Sequence, residues 1–333
     1  MRLLFAIYLF LISALCFAID EQDYQKIYEI HQAKDKYSLH KFKGVNGHQV
    51  SYLKYGKKSG ANGAVLFSVG RNESAEKYLE VAYDLAEKNF SPIYITAHRG
   101  QGLSDRVLNN PNKGYVRKFS YYTRDLKTLT NIIRKELPPH TRLSLLAHSM
   151  GGAIGLDFLQ KYPRVFHRAV FTAPMFKILL EESERATLWQ TWLACYIPNK
   201  PFCTDYVPGG SDPSPTIEDS EVTSSEIRTD FVRYLYEENS RTRLGSSTIR
   251  WVRESIKANI RMRSNRNIAK IQTPFLILQA SRDSVVDNSG QDEVCEKTDL
   301  CQLEVIQDSL HNILSERDVY RDVAMDALVD YLK

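Results

Sequence analysis

No charge of one sign dominates this chain. Its 44 Lys and Arg face 40 Asp and Glu, leaving a formal charge of +4 over 333 residues. That excess is too small for a nucleic-acid binder without a dense local patch, and no nucleic-acid partner is expected. Internal repeats and low-complexity tracts are also missing, so neither a repeat array nor a compositionally biased segment is indicated. Long apolar runs are nearly absent. The one that exists, Leu3 to Leu15 with only Ser13 to interrupt it, falls short of the roughly 20 residues that a membrane-spanning helix needs. Cysteine is scarce, at five residues, and no His stands at ligand spacing beside the later ones, which argues against a metal site.

What is present reads as a chain that folds and is expected to be exported. Hydrophobic residues make up 43% and charged residues 25%, a balance that can bury a full core. The length suits two domains or one large α/β domain with an insert. Arg2, the apolar run, and the small residues Cys16 and Ala18 flanking Phe17 read as a secretory signal over residues 1–18, cleaved after Ala18. The alternative for this segment is an uncleaved N-terminal anchor. Beyond it remain Cys195, Cys203, Cys295 and Cys301, an even number in two local pairs, which in an exported protein suggests disulfides. Of the three connectivities, Cys195–Cys203 and Cys295–Cys301 is expected because each closes a short loop.

Along the chain, residues 19–38 carry apolar side chains at helical spacing, and Asn46-Gly47 marks a hairpin between two strands. Short apolar strands follow at 64–68, 92–96, 143–147, 169–172, 275–278 and 303–306, with helical stretches at about 74–89, 120–136 and 150–162 and a last helix at about 317–332. Continuous apolar strands alternating with helices predict an α/β fold, a mostly parallel sheet with helices on both faces. The rhythm breaks between 176 and 268, where helical patterns surround a polar loop from Val207 to Ser225. A core of 19–175 and 269–333 with a helical cap at 176–268 accounts for this. The cap would cover the C-terminal edge of the strands, where open α/β sheets bind ligands.

The strand ending at Ala147 runs into His148-Ser149-Met150-Gly151-Gly152 and then a helical pattern. This is the strand–turn–helix setting of a nucleophile elbow, whose tight turn needs small residues two before and two after the Ser. Here they are Ala147 and Gly151; Gly is the usual residue at the first position. The plainer reading of Ser149 is a helix N-cap. A neutral Ser needs a base, itself oriented by an acid, and in folds of this kind the order is Ser, acid, His. His311, in the loop after the last strand, is the expected base. His167 follows Pro163 on a turn and is expected in solvent. Asp283, just past the strand at 275–278, is the expected acid, with Asp287 as runner-up and Asp308 read as a turn residue. Two backbone N–H donors should hold the oxyanion: that of Met150, after the nucleophile, and that of Arg71, in the turn Val69-Gly70-Arg71-Asn72.

With these residues in place the chain resembles the α/β-hydrolases of the monoacylglycerol lipase and bacterial lysophospholipase family, most closely its Gram-negative lysophospholipase branch. Three blocks carry the resemblance: Gly70-Arg71-Asn72-Glu73-Ser74 with Lys77-Tyr78 and Ala82-Tyr83-Asp84-Leu85; His98-Arg99-Gly100-Gln101-Gly102 with Ser104; and Ala147 to Gly152 with Thr172-Ala173-Pro174-Met175. The chain departs from the pattern at Val69, where many relatives have His, and at Ala97, where many have Asp. The resemblance implies hydrolysis of a fatty-acyl ester from a single-chain lipid. Ser149 would attack the carbonyl, His311 would carry the proton to the leaving oxygen, and no metal or organic cofactor would be called for. A lysophospholipid is the expected substrate. A monoacylglycerol or a general ester is the alternative, and a non-catalytic binding protein on the same scaffold is the reading from a different class.

Residues 241–270 hold nine Lys or Arg and one acid, Glu254. Arg250, Arg253, Lys257 and Arg261 share one helical face beside an apolar stripe of Ile249, Val252, Ile256 and Ile260. Such a helix could rest on an anionic membrane surface or meet a lipid phosphate. The plainer reading is a cap helix with its charges in water.

Overall fold

The structure is a computed structural model that describes residues 19–57, 59–197, 202–214 and 221–333. The expected signal segment and part of the expected polar loop, residues 215–220, lie outside the described residues. Among the described residues eight strands form one sheet: β1 (Tyr37–Lys43), β2 (Gln49–Tyr55), β3 (Ala64–Ser68), β4 (Ile93–Ala97), β5 (Leu143–His148), β6 (Ala169–Thr172), β7 (Phe275–Ala280) and β8 (Cys301–Ile306). The helices are α1 (Gln25–Gln32), α2 (Leu79–Glu87), α3 (Ser120–Glu136), α4 (Met150–Lys161), α5 (Glu184–Tyr196), α6 (Glu226–Glu238), α7 (Ile249–Met262), α8 (Asn265–Ile268), α9 (Ser289–Cys295) and α10 (Asp318–Leu332).

The strand order is β1-β2-β4-β3-β5-β6-β7-β8. β2 is antiparallel to both of its neighbours, and the pairs from β4 to β8 are all parallel. Asn46 and Gly47, at φ 59° and 78°, supply the left-handed residues between β1 and β2, as the Asn-Gly signal predicts. β5 is buried throughout, with Leu145 and Ala147 in one apolar cluster and Leu146 in the other. Its side chains alternate between two covered faces, which is why the strand reads as an unbroken apolar run. Leu126, Leu129 and Ile133 of α3 and Ile154 and Phe158 of α4 cover the first face. Leu79 and Leu85 of α2 and Leu328 and Leu332 of α10 cover the second. Each buried Leu contributes about 2 kcal/mol. The helical stretch expected at 74–89 is divided: a single 3₁₀ turn, Glu76–Tyr78, precedes α2.

Between β6 and β7 the chain forms α5 to α8. This insert meets the loop leaving the C-terminal end of β3: the Leu244 N–H donates to Asn72 Oδ1 at 2.7 Å, and the Tyr236 hydroxyl donates to Asn72 O at 3.1 Å. Its α6 is fixed to the core by Arg228, whose buried guanidinium reaches Glu80 of α2 and Asp318 of α10, each at 2.7 Å. α7 packs on both α4 and α5. That double contact turns Trp251, Ala258 and Met262 inward together with Ile256, while Ile260 stays exposed. The apolar stripe expected from sequence is therefore correct at Ile256 and wrong at Ile260. Disulfides join Cys195 to Cys203 and Cys295 to Cys301. The first seats the start of α7, because Cys203 O and Asp205 O accept the N–H groups of Arg250 and Ile249, each at 3.0 Å. Among the described residues no helix is long and apolar enough to cross a membrane.

Candidate active site

β5 delivers Ser149 to the top of the sheet, and α4 begins one residue later. Ser149 has φ 51° and ψ −120°, a conformation that L-residues adopt only under constraint. The constraint is visible in the neighbours. The Ser149 N–H donates to Thr172 O at 3.1 Å, and Ser149 O accepts the N–H of Met175 at 2.9 Å. A Cβ on Gly151 would lie 2.0 Å from Ser68 O, so only Gly lets α4 start this close to the end of β3. Ala147, two residues before the Ser, is fully buried and fits.

The loops beyond β7 and β8 bring Asp283 and His311 to this point. Ser149 Oγ lies 2.9 Å from His311 Nε2, and Asp283 Oδ2 lies 2.8 Å from His311 Nδ1. With Nδ1–H donating to the carboxylate, Nε2 is left to accept the Ser149 hydroxyl. Asp283 Oδ1 accepts the N–H groups of Val285 and Val286 at 2.8 and 3.0 Å. Burial raises the Asp283 carboxyl, but the His311 hydrogen bond and charge and these two amides outweigh it and hold it below the usual carboxylate value. Asp283 is thus kept ionised beside the imidazole it orients. Asp287, the runner-up acid, is engaged elsewhere, 2.7 Å from Lys177 Nζ. Asp308 sits in a left-handed turn at φ 58°, and His167 is exposed.

Arg71 and Met150 follow β3 and Ser149 in chain order, and the backbone N–H of neither donates to a protein acceptor among the described residues. The Arg71 side chain turns away to the insert, where it donates to Gly245 O and lies 5.4 Å from the Trp251 ring centroid. Burial lowers its guanidinium to about 10.

Sequence reasoning missed a second layer. Glu73 is buried behind the β3 loop, where its Oε2 accepts the Gly70 N–H at 2.5 Å and its Oε1 accepts from Lys77 Nζ at 2.6 Å and Tyr78 Oη at 2.8 Å. Gln101 Nε2 donates to Gly70 O at 2.6 Å and Glu73 O at 3.2 Å. Burial raises Glu73, but Lys77 and His148 prevail and bring it down to about 2. His148 packs against His311 with ring centroids 5.0 Å apart and bonds Thr172 O and Asn312 Oδ1 at 3.0 and 3.1 Å. Its burial lowers it to about 4, as burial does for His98 behind Ser68. Gly70, Glu73, Gln101 and His148 all fall inside the three family-like blocks, and that is the one signal the sequence offers for them.

In chain order Ser149, Asp283 and His311 are a hydroxyl, a carboxylate and an imidazole, and nothing in their chemistry asks for a metal or an organic group. Residues 59–318 match the family model described as serine aminopeptidase, S33 (Hydrolase_4). The chain is 34% identical over 301 residues to lysophospholipase L2 of Escherichia coli strain K12, covering 87% of this chain and 86% of that one. It is 30% identical over 264 residues to a probable lysophospholipase L2 of Haemophilus influenzae, covering 79% and 81%. Among solved structures, a soluble variant of monoglyceride lipase from Saccharomyces cerevisiae superposes with a TM-score of 0.68 at 15% identity, covering 89% of this chain and 95% of that one.

Proposed function

Because the chain belongs to the serine aminopeptidase S33 (Hydrolase_4) family of serine hydrolases, we propose that it hydrolyses the acyl ester of a lysophospholipid through an acyl-enzyme on Ser149. The observation that carries this reading is His311, which touches the Ser149 hydroxyl with one ring nitrogen and the Asp283 carboxylate with the other. In the first half-reaction Ser149 Oγ attacks the carbonyl as His311 Nε2 takes its proton. The C–O bond to the glycerol oxygen then breaks, and that oxygen leaves with the proton from His311. In the second half-reaction His311 takes a proton from water, whose oxygen attacks the acyl carbon, and the fatty acid departs as Ser149 regains its hydrogen. The N–H groups of Met150 and Arg71 hold the oxyanion in both halves. Residues 176–268 act as a cap over this centre. The two disulfides suit work in an oxidising compartment outside the cytoplasm, and contact with an anionic membrane surface belongs to the same reading.

The substrate follows the two bacterial relatives, which are named lysophospholipases. The expected result is faster release of fatty acid from lysophosphatidylethanolamine or lysophosphatidylcholine than from a neutral monoacylglycerol, with Ser149→Ala inert on all. The reverse ranking would replace the substrate with a monoacylglycerol and leave the chemistry unchanged. A fluorophosphonate probe that labels wild type and Ser149→Ala equally would remove Ser149 from the mechanism.

A further inference from the structure

The insert carries two features that ester hydrolysis does not use, and they meet at one residue. On α5, Trp189, Trp192, Leu193 and Tyr196 recur at the spacing of a single helix face, and all are exposed, Trp189 by 63% and Trp192 by 47%. Phe202, within the loop that the Cys195–Cys203 disulfide closes, is exposed as well. A contiguous apolar patch of this kind marks an interaction surface. Beside it, between α7 and the start of α3, runs a groove of about 730 Å³ lined by Arg117, Lys118, Arg250, Arg253, Lys257 and Arg261. The one acid in its wall, Glu254, is already held by Arg253 and Lys257, each at 3.2 Å. Arg117, Lys118 and Arg250 form no salt bridge among the described residues. Tyr196 joins the two features. It lines the groove, its ring centroid is 5.5 Å from the Arg253 guanidinium, and the Trp192 ring is 5.9 Å away.

We propose that this α5–α7 face docks the protein on an anionic phospholipid bilayer, with the aromatic stripe at the level of the headgroups and the groove cations against lipid phosphates. Charge decides the occupant. A second copy of this face would set one net positive surface against another, each with six cations to one acid in the groove and with Arg261 also engaged by Asp157. A bilayer of negative surface potential attracts them, and Trp and Tyr are the side chains that settle at the boundary of hydrocarbon and water. The inference takes its purpose from the proposed lipid substrate, since a single-chain lipid resides in such a bilayer, but its geometry is independent of that reading.

Intrinsic fluorescence tests it in the full-length protein. Of the three tryptophans, Trp251 is buried and the other two lie in the stripe. Vesicles of phosphatidylcholine mixed with phosphatidylglycerol should shift the emission to the blue and co-sediment the protein, far more than vesicles of phosphatidylcholine alone, and high salt should reverse both effects. Arg250→Glu with Lys257→Glu keeps every tryptophan and should bind the anionic vesicles at least about tenfold more weakly. Trp189→Ser with Trp192→Ser should also lose co-sedimentation. Both variants should cleave a short soluble ester at the wild-type rate, which shows that they fold. Equal binding to the two vesicle types, or undiminished binding by the charge-reversed variant, would overturn the proposal. So would a stripe-dependent dimer in solution, which would assign the face to a second copy. Lysophospholipid turnover is measured separately, below micelle-forming concentration, so a protein that docks without turnover is told apart from one that turns over without docking.

Discussion

Glu73 accepts the N–H of Gly70 at 2.5 Å, so a buried carboxylate grips the loop that runs on into Arg71. Lys77 and Tyr78 hold that carboxylate in turn, and Gln101 secures the Gly70 carbonyl from the other side. The Arg71 backbone amide, proposed to hold the oxyanion, therefore follows a residue fixed by a bonded frame and not by the loop alone.

Glu73→Gln tests that frame. The amide keeps the volume but loses the charge that Lys77 needs, and the loop is freed to shift. We expect kcat on a soluble ester to fall by about ten- to a hundredfold, less than the loss of a whole oxyanion donor at its upper range, with KM changed much less. An unchanged kcat would mean that Glu73 serves packing only.

The strained serine makes a prediction of opposite sign for stability. Ser149→Ala and Ser149→Gly both remove the proposed nucleophile and should both be inactive. Gly occupies φ 51° freely, so the Gly variant should be more stable than the Ala variant by about 1 kcal/mol. Inside ordinary helices and strands the ranking is the reverse. Urea unfolding of the two proteins checks it.

Acid should destabilise the fold in a defined window. His98 and His148, ordinarily near 6.5, are both lowered to about 4 by burial. Between those values the unfolded chain holds protons that the folded chain refuses, so stability falls as pH drops from 6.5 toward 4. At pH 5 the loss is about 2 kcal/mol for each histidine. Glu73, depressed to about 2 from 4.5, extends the loss below pH 4.5. Urea midpoints at pH 7 and pH 5 measure it, and in His98→Gln about half of the difference should disappear.

Arg228 joins the insert to the core. Its removal leaves Glu80 buried beside Asp84 with one cation, Arg321, where there were two. Arg228→Met should cost about 3–5 kcal/mol of unfolding free energy, read by urea denaturation, while Arg233→Met, exposed on the same helix, should cost under about 0.5 kcal/mol.

The parallel sheet was legible because its strands are buried on both faces and so read as short apolar runs; Leu143 to Ala147 is one. Ser149, Asp283 and His311 were legible because each stands just past such a strand, where chain order restricts the choice. Glu73 was not. A glutamate three residues after a glycine reads as a solvated loop residue, and only the fold of the turn after β3 against the 3₁₀ turn Glu76–Tyr78 reveals the amide and ammonium it serves. The inner face of α7 was misjudged at Ile260 for a related reason. Helical periodicity shows that one side is apolar, but neighbours on two sides, α4 and α5, decide which residues turn in.

Arg228 also bears on how the chain assembles. Its guanidinium bonds Ile19 O, Glu80, Glu316 O and Asp318, partners drawn from nearly the whole length of the sequence. Until α10 has docked, this side chain has nowhere dry to go. A side chain that ties the insert to α2 and α10 at once makes contacts of very long sequence separation, and contacts of that kind slow folding.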